Sequence, residues 1–123
     1  MADRPLDRCR ILVVEDEYLL ADELSLELAD EGAVVLGPVA NVQHALALLH
    51  EEATLDGAIL DVNLGGEPVF PVADALIGRG VPMIFTTGYD AGVFPERFAH
   101  VPKCEKPVNT GRIAAALGRA IHA

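Results

Sequence analysis

Short runs that are apolar at every position alternate along this chain with longer stretches whose apolar residues recur every three or four positions. Ile11-Leu12-Val13-Val14 is the first such run, and it ends in Glu15-Asp16-Glu17. A strand apolar on both faces belongs inside a parallel sheet covered on both sides. Leu20, Leu24 and Leu28 follow at helical spacing, with Gly32 as a stop. Ala33 to Leu36 predicts a second strand closed by Gly37-Pro38, and Asn41 is placed to cap a helix carrying Val42, Ala45, Leu46 and Leu49. Ala58-Ile59-Leu60 predicts a third strand ending at Asp61. Val69, Val72, Ala73 and Leu76 mark a helix broken by Gly78 to Gly80, and Met83 to Thr86 a fourth strand. Residues 90–102 are ragged, with Gly92, Pro95 and Pro102, so any helix there is short. A fifth strand near Val101 to Glu105 leads to Lys106-Pro107, and Asn109 or Thr110 caps a last helix carrying Ile113, Leu117 and Ile121.

The repeat is therefore βα five times. Helices of about 12 residues span roughly 18 Å, close to strands of five or six residues at about 3.3 Å each. Right-handed crossovers then place helices on both faces of one parallel sheet, and the expected organisation is a single domain over residues 1–123 with no output domain.

In an open sheet of this kind the binding crevice lies at the carboxyl ends of the strands. Four of those ends carry reactive groups: Glu15 and Asp16, Asp61, Thr87, and Lys106. Two unit charges about 4 Å apart repel by roughly 4 kcal/mol at an effective dielectric near 20, so three converging carboxylates need a counter-charge. Mg²⁺, with hard oxygen ligands and retained waters, suits them. Lys106 adds a fixed ammonium and Thr87 a hydroxyl. A cation, an ammonium and a hydroxyl around a central carboxylate make a phosphoryl-transfer site with that carboxylate as nucleophile.

The formal net charge of −10 excludes nucleic acid and anionic membranes as partners of this chain. No stretch approaches the roughly 20 apolar residues that span a bilayer. Cys9 and Cys104 have no paired spacing, read as small hydrophobes near strands, and suit a reducing cytoplasm. His44, His50, His100 and His122 share no ligand spacing and are assigned nothing.

Val14-Glu15-Asp16, Leu60-Asp61-Val62-Asn63, Thr86-Thr87-Gly88 and Glu105-Lys106-Pro107, in this order and each at a strand end, resemble the receiver domains of two-component response regulators. That resemblance implies a flavodoxin-like α/β fold with strand order 2-1-3-4-5. It implies Asp61 as phosphoacceptor, and Mg²⁺ held by Glu15, Asp16, Asp61 and the Asn63 backbone carbonyl. Thr87 is then the switch hydroxyl, and Lys106 the lysine that precedes a cis-proline candidate, Pro107. A sensor histidine kinase or phosphotransfer protein is the implied donor, and a downstream protein the target. The chain would be a non-enzymatic phosphoprotein of the cytoplasm that self-phosphorylates from small donors and loses the group slowly. Phe85-Thr86-Thr87-Gly88-Tyr89 with Lys106-Pro107 also resembles the FAT GUY subgroup. Residues 90–102 are the expected mobile part of the switch.

Two positions depart from the family's pattern. Lys103 stands three residues before Lys106, where receivers place an aromatic switch residue; it reads as a solvated surface lysine or the partner of an acidic surface. Tyr89, two after Thr87, either gates water at the phosphoryl entrance or is a half-buried aromatic without that role. Glu17 reads as the acidic start of a helix. The competing functions are a degenerate receiver used as a scaffold, an aspartyl-phosphate hydrolase of haloacid-dehalogenase type, and a flavin or nucleotide module. The hydrolase wants a second Asp where Asn63 stands, and the nucleotide module a Gly-rich loop where Glu15-Asp16-Glu17 stands.

Overall fold

The computed structural model describes residues 5–88 and 94–123 of the protein. In chain order the elements are β1 (Arg10–Val14), α1 (Tyr18–Asp30), β2 (Val34–Val39), α2 (Val42–Glu51), β3 (Gly57–Asp61), β4 (Asn63–Leu64), β5 (Glu67–Pro68), α3 (Phe70–Gly78), β6 (Met83–Thr87), a 3-10 turn (Glu96–Phe98), β7 (Lys103–Glu105) and α4 (Thr110–Ile121). β1, β2, β3, β6 and β7 pair as one parallel sheet in the order β2-β1-β3-β6-β7. Leaving aside the separate β4–β5 hairpin, that is the order 2-1-3-4-5 expected of a flavodoxin-like receiver fold.

Side-chain alternation divides each strand between two cores. Ile11, Val13, Ile59 and Ile84 face Leu24 and Leu28 of α1 and Ile113, Ala114 and Leu117 of α4. Leu12, Val14, Ala58, Leu60, Met83 and Phe85 face Val42, Ala45 and Leu49 of α2 and Val72, Ala73 and Leu76 of α3. Both faces are covered, which is why the central strands read as unbroken apolar runs. Asn41 Oδ1 accepts the His44 N–H at 2.8 Å and starts α2; Asn109, rather than Thr110, caps α4 by accepting from Arg112 N at 3.0 Å.

Three local features differ from the sequence reading. β2 does not stop at Gly37-Pro38 but runs on to Val39, with a register shift against β1 between Leu12 and Val14. The strand lies at the sheet edge, where a missing proline N–H costs no ladder bond and a bulge is tolerated. Gly37 sits at φ +94, and a Cβ there would stand 2.9 Å from the Val13 carbonyl oxygen. The β4–β5 hairpin, too short for a period-2 signal, turns on Gly65 and Gly66, both at positive φ. Finally, among the described residues the fourth crossover holds only the single turn Glu96–Phe98. Pro95 and Pro102 bracket it.

Candidate functional site at the strand ends

The parallel register brings the reactive positions together. β1 is flanked by β2 and β3, and β3 by β6, so the residues leaving β1 and β3 emerge side by side. Asp61, the last residue of β3, pairs with Thr86; Thr87 pairs with Glu105; and the Lys106 N–H donates to the Thr87 carbonyl at 2.7 Å. One carboxylate oxygen from each of Glu15, Asp16 and Asp61 lies within 4.8 Å of the others. Glu15 and Asp61 are 3% and 4% exposed, so both charges sit against protein; Asp16 is open to solvent. From the other side the Lys106 ammonium reaches Asp61 Oδ2 at 3.1 Å and Glu15 Oε2 at 3.4 Å. The Lys106-Pro107 peptide is cis. The expected convergence of Glu15, Asp16, Asp61 and Lys106 is what the fold produces, and the Thr87 residue is buried beside it.

Burial sets the electrostatics. It pushes the Glu15 carboxyl up from 4.5 to about 8, opposed by the Glu17 N–H and reinforced by Asp61. Burial also raises Asp61, against the pull of Glu15, Lys106 and the Asn63 N–H, which donates to Asp61 Oδ1 at 3.2 Å. Two buried carboxyls this close titrate as a pair and favour holding one proton between them at neutral pH. Burial works against the Lys106 ammonium, yet Asp61 and Glu15 outweigh it and hold the lysine above its ordinary 10.5.

The donor set fits a hard dication. Glu15 Oε1 is buried without a hydrogen-bond partner. The hairpin turn rises beside Asp16, where a Cβ on Gly65 would stand 3.7 Å from Asp16 Oδ2. Asn63 lies opposite Pro68, which has no N–H to offer its carbonyl. Carboxylates crowded to this degree, with an oxygen left unpaired, are compatible with an oxygen-liganded dication such as Mg²⁺.

Two residues play parts that the sequence concealed. Glu17 is the N-cap residue of α1 yet makes no side-chain cap bond; its carboxylate instead meets Lys106 Nζ at 3.3 Å. Being the third acid in a row is all that distinguished it. Lys103 is not a freely solvated lysine, although the residue is exposed. Its ammonium donates to the Phe98 and Val101 carbonyls at 2.9 and 2.6 Å and lies 4.8 Å from the centre of the Phe94 ring. Phe94 in turn stacks on Phe85 at 5.4 Å, two residues from Thr87, and Phe98 stacks on Phe70 at 5.1 Å. Lys103 thus fastens the turn at 96–98 to the end of the sheet, and Lys103→Ala is expected to cost about 1–2 kcal/mol in urea unfolding through lost carbonyl and ring contacts. An unchanged midpoint would show that those contacts contribute nothing. Tyr89 and residues 90–93 of the expected mobile segment lie outside the described residues. Both thiols are raised by burial, Cys9 also by Asp56 and Asp7, as befits structural cysteines.

No protein-family model matches the chain, and no curated protein does. Solved structures do. The solution structure of SdrG from Sphingomonas melonis Fr1 is 38% identical, with 100% of both chains covered and a TM-score of 0.80. The BeF3-activated conformation of SdrG, from Pseudomonas melonis Fr1, is 36% identical over 98% of this chain and 99% of that one, with a TM-score of 0.73. A response regulator receiver protein from Sinorhizobium medicae WSM419 shares the fold at 24% identity, covering 96% of this chain and 98% of its own, with a TM-score of 0.75. Identity of this degree, unbroken from end to end and carried on the same sheet, shows that the chain belongs to the receiver domains of response regulators.

Proposed function

We propose that this receiver accepts a phosphoryl group on Asp61 from a histidine kinase or phosphotransfer protein, in a Mg²⁺-dependent reaction, and thereby switches a protein-binding surface. The observation that carries the reading is a nearly buried carboxylate held at 3.1 Å by an ammonium, with two further carboxylates clustered within 4.8 Å of it. The BeF3-activated conformation of SdrG supports it, because fluoroberyllate on a carboxylate mimics a tetrahedral phosphoryl group. Mg²⁺ would be held by Glu15, Asp16, Asp61 and the Asn63 carbonyl, and when bound it supplies positive charge for the phosphoryl oxygens.

The chain's own residues do the rest. An Asp61 carboxylate oxygen attacks phosphorus as the donor atom leaves with its bonding electrons, and the acid anhydride so formed is an acyl phosphate. Lys106 presents an N–H to the transferred oxygens. The Asn63 N–H, on Asp61 Oδ1, fixes the carboxylate's rotation. Thr87 is the hydroxyl that turns toward the added group, and Phe85, beneath it in β6, links that movement to Phe94 and Phe98. Phosphorylation adds roughly one to two negative charges and shifts the population toward the conformation that gives them partners. Phe85-Thr86-Thr87-Gly88 and Lys106-Pro107 are the residues on which a place in the FAT GUY subgroup rests. Among the described residues no helix is long and apolar enough to cross a membrane, and the reading places the protein in the cytoplasm.

Incubation with acetyl phosphate and Mg²⁺ should add one phosphoryl mass to the intact protein, and EDTA should prevent it. A mass that stays unmodified under both conditions would sink the reading. A protein donor leaves a further mark. Tyr18 and Leu19, 81% and 76% exposed, flank a shallow depression with Lys106, Pro107 and Val108 at the rim of the site. A protein delivering a phosphoryl group to Asp61 must cover that rim, and exposed apolar side chains there favour its docking. Leu19→Asp should lower transfer from the cognate kinase by about tenfold, some 1.4 kcal/mol, while leaving labelling by acetyl phosphate unchanged. Equal losses with both donors would mean the substitution disturbs the site rather than docking.

A further inference from the structure

We infer that Glu17 is a positioning residue that restrains phosphoryl entry, because its carboxylate forms an exposed ion pair with Lys106 at the open side of the Asp61 site. The inference rests on Asp61 being the acceptor.

An ammonium has three donors and no acceptor. Three carboxylate oxygens surround Lys106 Nζ: Asp61 Oδ2 at 3.1 Å, Glu17 Oε2 at 3.3 Å and Glu15 Oε2 at 3.4 Å. Two of its hydrogen bonds go to the buried Glu15 and Asp61, and the Glu17 carboxylate pairs with its charge from the solvent side before a phosphoryl group arrives. The three partners differ in how freely they can leave. The Glu15 and Asp61 side chains are 1% and 6% exposed, whereas that of Glu17 is 60% exposed. Water can take over the Glu17 carboxylate, so Glu17 is the partner that yields when phosphoryl oxygens claim the lysine. Until it yields, it offsets part of the ammonium's charge and puts a negative charge beside the path of an anionic donor. Removing it does not unseat Lys106, which keeps both buried carboxylates. The two consequences of losing Glu17 are therefore unequal: the anchoring lost is small, and the competition lost is the larger effect.

The step itself balances without Glu17. The donor's oxygen–phosphorus bond breaks, the Asp61 oxygen–phosphorus bond forms, and acetate leaves acetyl phosphate with the electron pair. Glu17 neither gains nor loses a proton; it acts through the lysine and through its charge.

The test is the initial rate of phosphoryl incorporation from acetyl phosphate at saturating Mg²⁺, read by intact mass, for wild type, Glu17→Gln and Glu17→Asp. Glu17→Gln should label roughly two- to fivefold faster than wild type at low ionic strength, the range expected for losing an exposed charge contact. That ratio should fall toward one near 1 M salt, where screening acts within about 3 Å. Glu17→Asp, which restores the charge, should return the rate toward wild type. A merely local disturbance of the α1 start would give neither the salt dependence nor the rescue, and equal melting temperatures establish that the variants are folded. Wild type that labels normally beside a Glu17→Gln variant no faster at low salt overturns the inference alone. Wild type that takes no label overturns the acceptor assignment and this inference with it.

Discussion

Asp61→Asn should abolish phosphoryl incorporation, with initial rates from acetyl phosphate and Mg²⁺ falling by at least about a thousandfold. The amide has the shape of the carboxylate, so the packing at the end of β3 is unchanged and the side-chain oxygen still accepts the Asn63 N–H. Lys106 keeps Glu15 and Glu17 as partners. What the substitution removes is the anionic oxygen that attacks phosphorus, and with it one of two buried, mutually repelling acids. The loss of labelling should therefore come without a loss of fold: in metal-free buffer near pH 8 the variant should melt no lower than wild type, since Glu15 no longer faces a second buried carboxylate. Intact mass and thermal unfolding on one preparation separate the two effects. Labelling at the wild-type rate would move the acceptor to another carboxylate, and Asp16, the exposed member of the cluster, would be the first to examine.

The strand ends were legible in the sequence because a doubly covered parallel sheet leaves a strong signature. Four residues of unbroken hydrophobicity around Ile11 to Val14 place Glu15 and Asp16 beyond any packed position, and Ala58 to Leu60 do the same for Asp61. Strand order then followed from fold resemblance rather than from periodicity, which says nothing about neighbours. The features that escaped were those whose geometry depends on contacts distant in sequence. Glu17 looks like any acid before a helix until β7 brings Lys106 to it. Lys103 looks solvated until Phe94, Phe98 and Val101 fold over its ammonium. β2 looks finished at Gly37-Pro38 because a proline ends most strands, and only its place at the sheet edge lets pairing resume at Val39. In each case a local rule was overridden by where the fold put the neighbour.

Without divalent cation, the protein should lose stability as the pH is raised from about 4.5 to about 8, and Mg²⁺ should reverse that loss at the upper end. The sign follows from Glu15, whose carboxyl is lifted by burial from 4.5 to about 8 in the folded state. Between those values the folded chain holds a proton that the unfolded chain has released, so rising pH favours unfolding. Below 4.5 both states are protonated and the penalty is absent; above about 8 both have lost the proton and the penalty is complete. A tenfold difference in proton affinity between the two states is worth about 1.4 kcal/mol, which makes the loss across the window a few kcal/mol, a sizeable part of a small domain's stability. Mg²⁺ needs the carboxylates deprotonated and binds only the folded site, so millimolar Mg²⁺ should raise the melting temperature strongly at pH 8 and little at pH 5. Titration calorimetry at pH 7 in buffers of different ionisation enthalpy should register proton release on Mg²⁺ binding. Glu15→Gln should flatten the metal-free profile and remove most of the Mg²⁺ response, since it deletes both the trapped proton and a ligand. Metal-free stability that stays level or climbs between pH 5 and 8 would show that Glu15 and Asp61 are not crowded together in solution, and a lone Asp61 without that crowding would have no need of the dication.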